Sequence, residues 1–131
     1  PVTEAPVVTE APVVTEAPVV TEAPVVTEPV VTAPAFTIGQ RNAIGDAESY
    51  LDFMAFSRSG LIDQLEYEGY TTDDATFAVD NIVVDWFEQA AKSAESYLDF
   101  MEFSRSGLIG QLEYEGYTTE QAEYGVAAVG Y

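Results

Sequence analysis

The chain of 131 residues carries 23 acidic and 4 basic side chains, a formal net charge of −19, and neither cysteine nor histidine. Such a polyanion repels nucleic acid and anionic lipid headgroups, because binding to them requires Lys and Arg side chains that neutralise phosphate. The absence of cysteine excludes a disulfide framework, and no run of residues approaches the ~20 apolar residues of a membrane span. The composition therefore favours a basic protein partner, or cations.

A six-residue unit, "PVVTEA", repeats through residues 1–35 and contributes all seven prolines of the chain. Proline at this spacing forbids helix and pushes the residue before it toward extended conformations. We expect a disordered or polyproline II spacer, on the order of 100 Å long at ~3.1 Å per residue, which holds the rest of the chain away from an anchoring surface. A linker without a length requirement is the alternative.

The chain begins with "PVTEA", a clipped copy of this unit. We therefore expect a longer natural protein in which a signal segment and an anchor precede the repeat.

Proline is absent from Phe36 onward, and apolar residues follow a helical period. The pattern predicts a first long helix over 38–56 and its equivalent over 86–103. The face of the first helix predicted to be buried consists of Ala47, Tyr50, Leu51, Phe53, Met54 and Phe56. In each copy a serine, Ser57 or Ser104, begins a short second helix, and "TT" begins a third.

The string from Ala47 to Thr72 returns from Ala94 to Thr119 with two differences in 26 positions. The predicted fold is all-α, with two tandem three-helix, helix-turn-helix-like repeats after the Pro-Val-Thr-Glu tail. The predicted boundaries are 1–35 for the spacer, 36–84 for the first repeat and 85–131 for the second. We expect the repeats to touch through "VVDWFEQAA", with Trp86 as a seam residue rather than a ligand platform.

Several classes of site are excluded or disfavoured by the residues present. The third helices carry acids such as Asp73 and Glu120, whereas helices that read DNA need basic and amide side chains. The chain has no His or Cys to serve as base or nucleophile in nucleophilic catalysis. Its carboxylates are scattered along the sequence and form no evident acid–base pair in a cleft. No EF-hand spacing is present. We expect no catalytic residue, no metal site and no cofactor.

The remaining class is protein recognition by an acidic surface that carries tyrosines. Tyrosine supplies contact area with a polar tip, and carboxylates attract and orient a basic partner. Packing of the turn is the alternative for the tyrosines, and an ion pair within the repeat is the alternative for the arginines. The candidate protein-binding residues are Arg58, Glu66, Tyr67, Glu68, Tyr70, Arg105, Glu113, Tyr114, Glu115 and Tyr117.

Three strings carry a resemblance to a known family: "YLDFMAFSRSGLIDQLEYEGY", "AVDNIVVDWFEQA" and "SAESYLDFMEFSRSGLIGQLEYEGY". Together they resemble the repeat of the Ltp family of host cell surface-exposed lipoproteins, over about residues 37–131. The resemblance implies tandem helix-turn-helix-like modules on a lipid-anchored extracellular stalk. It also implies, for the members that exclude superinfecting phage, a block of DNA injection after adsorption through the incoming injection machinery.

Under this resemblance we expect an extracellular, surface-located monomer that meets the membrane only through a lipid anchor. Its partner would be a basic segment of a phage injection protein or of another surface protein, and not nucleic acid. A general module for adhesion or cell-wall contact, unrelated to phage, is the alternative function.

Overall fold

A computed structural model describes residues 35–131, and this range contains six helices and no strand. The predicted spacer over 1–35 lies outside the described residues, except for Ala35. The helices are α1 (Ile38–Phe53), α2 (Arg58–Tyr67), α3 (Thr72–Asp80), α4 (Trp86–Phe100), α5 (Arg105–Tyr114) and α6 (Thr119–Ala128). Helices α1 to α3 pack together, and α4 to α6 repeat the arrangement. The prediction of an all-α fold with two tandem three-helix repeats is confirmed.

Each helix is preceded by a residue whose side-chain oxygen accepts a hydrogen bond from a backbone amide of the first turn. Thr37 and Thr118 form complete capping boxes with the glutamines three residues later. Helices α2 and α5 end before Gly69 and Gly116, whose φ values of +109° and +108° favour glycine over other residues. The boundaries of the short helices therefore follow from local sequence.

The two long helices are shorter than predicted. Helix α1 ends at Phe53 and α4 at Phe100, because the next residues, Met54 and Met101, are fully extended with φ of −160° and −155°. This bend brings Phe56 back to the core, where its ring packs edge-to-face on Tyr50 with centroids 5.7 Å apart. The assignment of Phe53 and Met54 to the buried face is wrong, since both side chains are exposed.

Each repeat has its own small core around two leucines of its short helix. Leu61 and Leu65 are fully buried in the first repeat, and Leu108 and Leu112 in the second. Burying one leucine contributes about 1.5–3 kcal/mol. Alanines line the facing helices and allow them to approach closely. The buried alanines are Ala43, Ala47, Ala75 and Ala78 in the first repeat and Ala90, Ala94 and Ala122 in the second.

The repeats meet at a polar seam that the loop before α2 forms with the second repeat. The Ser57 hydroxyl donates to the Glu115 carbonyl oxygen at 2.6 Å, and the Phe56 amide donates to the Gln89 side-chain oxygen at 3.1 Å. Ser59 donates to the carbonyl of Gly116 at 3.3 Å. The expected contact through "VVDWFEQAA" is thus confirmed at Gln89.

Trp86 also crosses the boundary between the repeats. It is the first residue of α4, yet its ring packs against the core of the first repeat. The prediction that Trp86 is a seam residue is confirmed.

Replacement of Gly116 by alanine tests the seam. A Cβ atom at Gly116 would overlap the Ser59 hydroxyl and lie 2.7 Å from that of Ser57, in addition to the strain of a positive φ. The matched control is Gly69→Ala, which has the same φ but nothing within 4 Å of its Cβ position. We expect Gly69→Ala to cost about 1 kcal/mol of unfolding free energy from αL strain, and Gly116→Ala a further 1–3 kcal/mol from overpacking, as is typical of such changes.

Urea unfolding followed by circular dichroism measures both values. Equal destabilisation by the two substitutions would show that the repeats do not meet at Gly116 in solution.

Candidate functional site

The motif "EYEGY" ends the short helix of each repeat, and its first tyrosine projects into solvent. Tyr67 and Tyr114 are each 85% exposed. The preceding carboxylates are tied to the next helix, since Thr72 donates to Glu66 and Thr119 donates to Glu113 at 2.6 Å. Each repeat therefore presents an exposed tyrosine beside an oriented carboxylate.

The second carboxylate of the motif faces the long helix of its own repeat. Tyr50 donates its hydroxyl to Glu68, and Tyr97 donates to Glu115 in the same way. The hydrogen bond to Glu68 raises the pKa of Tyr50. The pKa of Tyr97 is raised first by burial and then by the Glu115 carboxylate. Both carboxylates are exposed but held in place.

The last tyrosine of the motif differs between the repeats. Tyr70 is half-buried and donates to Asp46 at 2.6 Å, a bond that raises the pKa of Tyr70 to about 12. Tyr117 is 4% exposed, and its hydroxyl lies 2.6 Å from that of Ser93 and donates to the Gln89 carbonyl at 3.1 Å.

Burial raises the pKa of Tyr117 to about 12. Because internal partners satisfy its hydroxyl, Tyr117 is a core residue. Its prediction as a contact residue is wrong.

The two arginines also differ. Arg58 holds Asp80 through two parallel hydrogen bonds of 2.9 Å, which lower the pKa of Asp80 and raise that of Arg58. The position equivalent to Asp80 in the second repeat is Ala127. Arg105 is exposed and makes no ion pair within residues 35–131. Arg58 therefore forms an ion pair within its repeat, which is the alternative given for the arginines. Arg105 stays a candidate contact residue.

A pair of equivalent grooves lies along the long helices. The first has a volume of about 320 Å³ and is lined by Asp46, Ser49, Tyr50, Phe53 and Glu68. The second has a volume of about 290 Å³ and is lined by the residues 47 positions later, Ser93, Ser96, Tyr97, Phe100 and Glu115, together with Phe53, Met54 and Ala55 of the first repeat. Glu68 and Glu115 are the only predicted site residues in these walls.

The groove phenylalanines are not among the predicted contact residues, because the apolar period assigns Phe53 to the buried face. At 100° per residue Phe53 points about 120° away from Ala47, the centre of the apolar stripe, whereas Tyr50, Leu51 and Met54 stay within about 60° of it. The helical angle could therefore have identified Phe53 and its equivalent Phe100 as exposed.

Within the described residues, no group of three or more acidic side chains could hold a metal ion. None of the helices over residues 35–131 is both long and apolar enough to cross a membrane.

Comparison with known proteins gives two matches. The model of the Ltp lipoprotein family, described as host cell surface-exposed lipoprotein, matches residues 39–82 and 85–129. The solved structure of Ltp, a superinfection exclusion protein from the Streptococcus thermophilus temperate phage TP-J34, is 29% identical with a TM-score of 0.66. The alignment covers 71% of this chain and 97% of that one. Among proteins with curated descriptions, none matches significantly.

Substitution of Tyr117 by phenylalanine tests whether this side chain is core. It removes a hydroxyl with two internal partners, so we expect a loss of about 1–2 kcal/mol of unfolding free energy. Tyr114→Phe is the control, because it removes an exposed hydroxyl from the same motif and should change stability by less than about 0.5 kcal/mol. Thermal unfolding measures the difference, and equal effects of the two changes would contradict the burial of Tyr117.

The Arg58–Asp80 pair predicts a dependence of stability on pH. Because the pKa of Asp80 is lowered in the folded state, its contribution is present above the unfolded pKa and is lost as the pH falls through the folded value. Both side chains are nearly half exposed, so we expect Asp80→Asn to cost only about 0.5 kcal/mol at neutral pH.

Urea unfolding at neutral and at strongly acid pH measures this contribution. Asp63→Asn, an exposed change of the same charge on α2, is the control and should have little effect at either pH. A penalty for Asp80→Asn that persists in strong acid would contradict the ion pair as its cause.

Proposed function

We propose that this chain, which belongs to the Ltp family of host cell surface-exposed lipoproteins, excludes superinfecting phage by binding a basic segment of the incoming injection machinery. The observation that carries the proposal is the similarity to the TP-J34 superinfection exclusion protein, which extends over 97% of that protein's solved chain. The chain acts by binding and not by catalysis.

Charge supports a basic partner. Five of the acidic residues lie in the spacer, so residues 36–131 carry 18 acidic and 4 basic side chains, a net charge of −14. One of the four basic side chains, Arg58, is already paired with Asp80. A surface of this sign accelerates encounter with a cationic segment and rejects anionic ones.

The duplicated motif supports a contact that is made twice. Tyr67 and Tyr114 occupy equivalent, solvent-facing positions next to oriented carboxylates. Two weak contacts on one partner add to each other when the geometry allows both at once. Exposed tyrosines supply contact area at a low cost in side-chain entropy.

At a cell surface, the proline-rich residues 1–35 would serve as a spacer between an anchor and the repeats. A lipid anchor upstream of residues 1–35 would attach the protein to the membrane, and the proline-rich segment would hold the repeat units of 36–84 and 85–131 outward as a monomer. In that position the repeats meet the injection machinery after the phage has adsorbed.

Separate measurements of phage adsorption and DNA entry test the proposal. The full-length anchored protein is expressed in a phage-sensitive host, with the empty vector as control. We expect normal adsorption and reduced DNA entry. Full DNA entry by every phage tested would refute the proposal, and reduced adsorption would point to a general adhesion or surface-masking role instead.

The double variant Tyr67→Ala/Tyr114→Ala tests the contact surface in the same assay. Both side chains are exposed, so the fold should persist while DNA entry recovers by about tenfold or more, as expected for the loss of more than about 1.4 kcal/mol of binding. The control Ile38→Ala/Val83→Ala removes two exposed apolar side chains elsewhere and should still exclude phage. Exclusion by the tyrosine variant at the wild-type level would rule out "EYEGY" as the contact surface.

A further inference from the structure

Large apolar side chains are exposed at the ends of both long helices. Phe53 is 83% exposed and Phe100 is 88% exposed, and each is followed by a methionine that is more than half exposed. Single exposed apolar residues need no explanation, but clustered ones mark interaction sites. These four residues occupy equivalent positions in the two repeats, and three of them, Phe53, Met54 and Phe100, line the grooves.

The two grooves share a wall. Phe53 lines the groove of the first repeat and also the groove of the second, where Met54 and Ala55 join it. The grooves are therefore neighbours, and Phe53 belongs to both. A single segment of a partner can reach both.

The rims of the grooves are acidic and oriented. Glu68 borders the first groove and Glu115 the second, and each accepts a hydrogen bond from a tyrosine hydroxyl of the same groove. The apolar lining of the grooves is thus combined with fixed negative charge. A carboxylate held by a neighbour loses little side-chain entropy when it meets a cation.

We propose that the paired grooves that share Phe53 dock one partner segment with both basic and apolar side chains, with an apolar contact in each groove. This inference rests on the proposed function only for where the segment comes from, the phage injection machinery. The chemistry of the segment follows from the grooves themselves.

Charge excludes the two occupants that the chain itself could supply. A second copy would bring another 36–131 region of net charge −14 against these rims. The Pro-Val-Thr-Glu segment carries only glutamates as charged residues. Like charges across an interface cost several kcal/mol. A segment with cationic and apolar side chains complements both the carboxylates and the apolar residues that line the grooves.

The two grooves differ in a way that orients the segment. The first contains Asp46, where the second has Ser93, and the second gains Met54 and Ala55. The first groove suits a Lys or Arg side chain, whose alkyl stem lies on Phe53 while its charge meets Asp46 and Glu68. The second groove suits a purely apolar side chain.

Two labelled synthetic peptides of equal length and equal lysine content test the proposal with the full chain. One carries leucines between the lysines, and the other carries serines at those positions. Fluorescence anisotropy measures their affinities. We expect the lysine–leucine peptide to bind at least tenfold more tightly than the lysine–serine peptide.

The double variant Phe53→Ser/Phe100→Ser should lose this preference while it retains the weak binding of the lysine–serine peptide. The control Ile38→Ser/Val83→Ser removes two exposed apolar side chains that line neither groove and should keep the preference. All four side chains are exposed, so circular dichroism should show wild-type helix content in both variants.

Equal affinities of the wild-type chain for the two peptides, or a preference that survives Phe53→Ser/Phe100→Ser, would overturn the proposal. A concentration-dependent dimer that only this variant abolishes would assign the grooves to a second copy and overturn it as well. The peptide result does not depend on phage, so a protein that fails to exclude phage but shows the preference would refute the proposed function alone.

Discussion

The arrangement of the two repeats depends on the seam between them, and the shortest hydrogen bond of that seam comes from the buried hydroxyl of Ser57. It accepts the hydrogen bond of the Gly60 amide at 2.9 Å, which begins α2, and it donates to the Glu115 carbonyl at 2.6 Å. Ser57 is only 3% exposed, and a buried hydroxyl without partners would cost about 1–3 kcal/mol. The equivalent Ser104 caps α5 in the same way but is exposed. One capping residue thus also joins the repeats.

The seam determines what the second groove is made of. Because the loop before α2 lies against the end of α5, the residues just ahead of it, Phe53 to Ala55, form a wall of the groove in the second repeat. The first groove has no repeat before it within residues 35–131. Nearly identical strings therefore build two sites of different chemistry. The first is more acidic because it has Asp46 where the second has Ser93, and the second is more apolar because Met54 and Ala55 of the first repeat line it.

Local signals in the sequence were sufficient for most elements. Capping residues such as Thr37 and Thr118 place helix starts, and Gly69 and Gly116 place helix ends, because these effects act within one turn of the backbone. The ends of the long helices were not predictable in this way, since no glycine or proline follows Phe53. There the backbone becomes extended at Met54 and Phe56 then packs on the core, which is a tertiary contact.

The sequence alone determined the all-α class, the duplication, the negative charge and the position of most helix boundaries, because composition, period and caps are local properties. Only the tertiary structure decided which of the repeated tyrosines are accessible. Tyr114 and Tyr117 are three residues apart in one motif, yet one faces solvent and the other is core. The reason is that burial depends on contacts with distant helices, such as those of Ser93 and Gln89 with the Tyr117 hydroxyl.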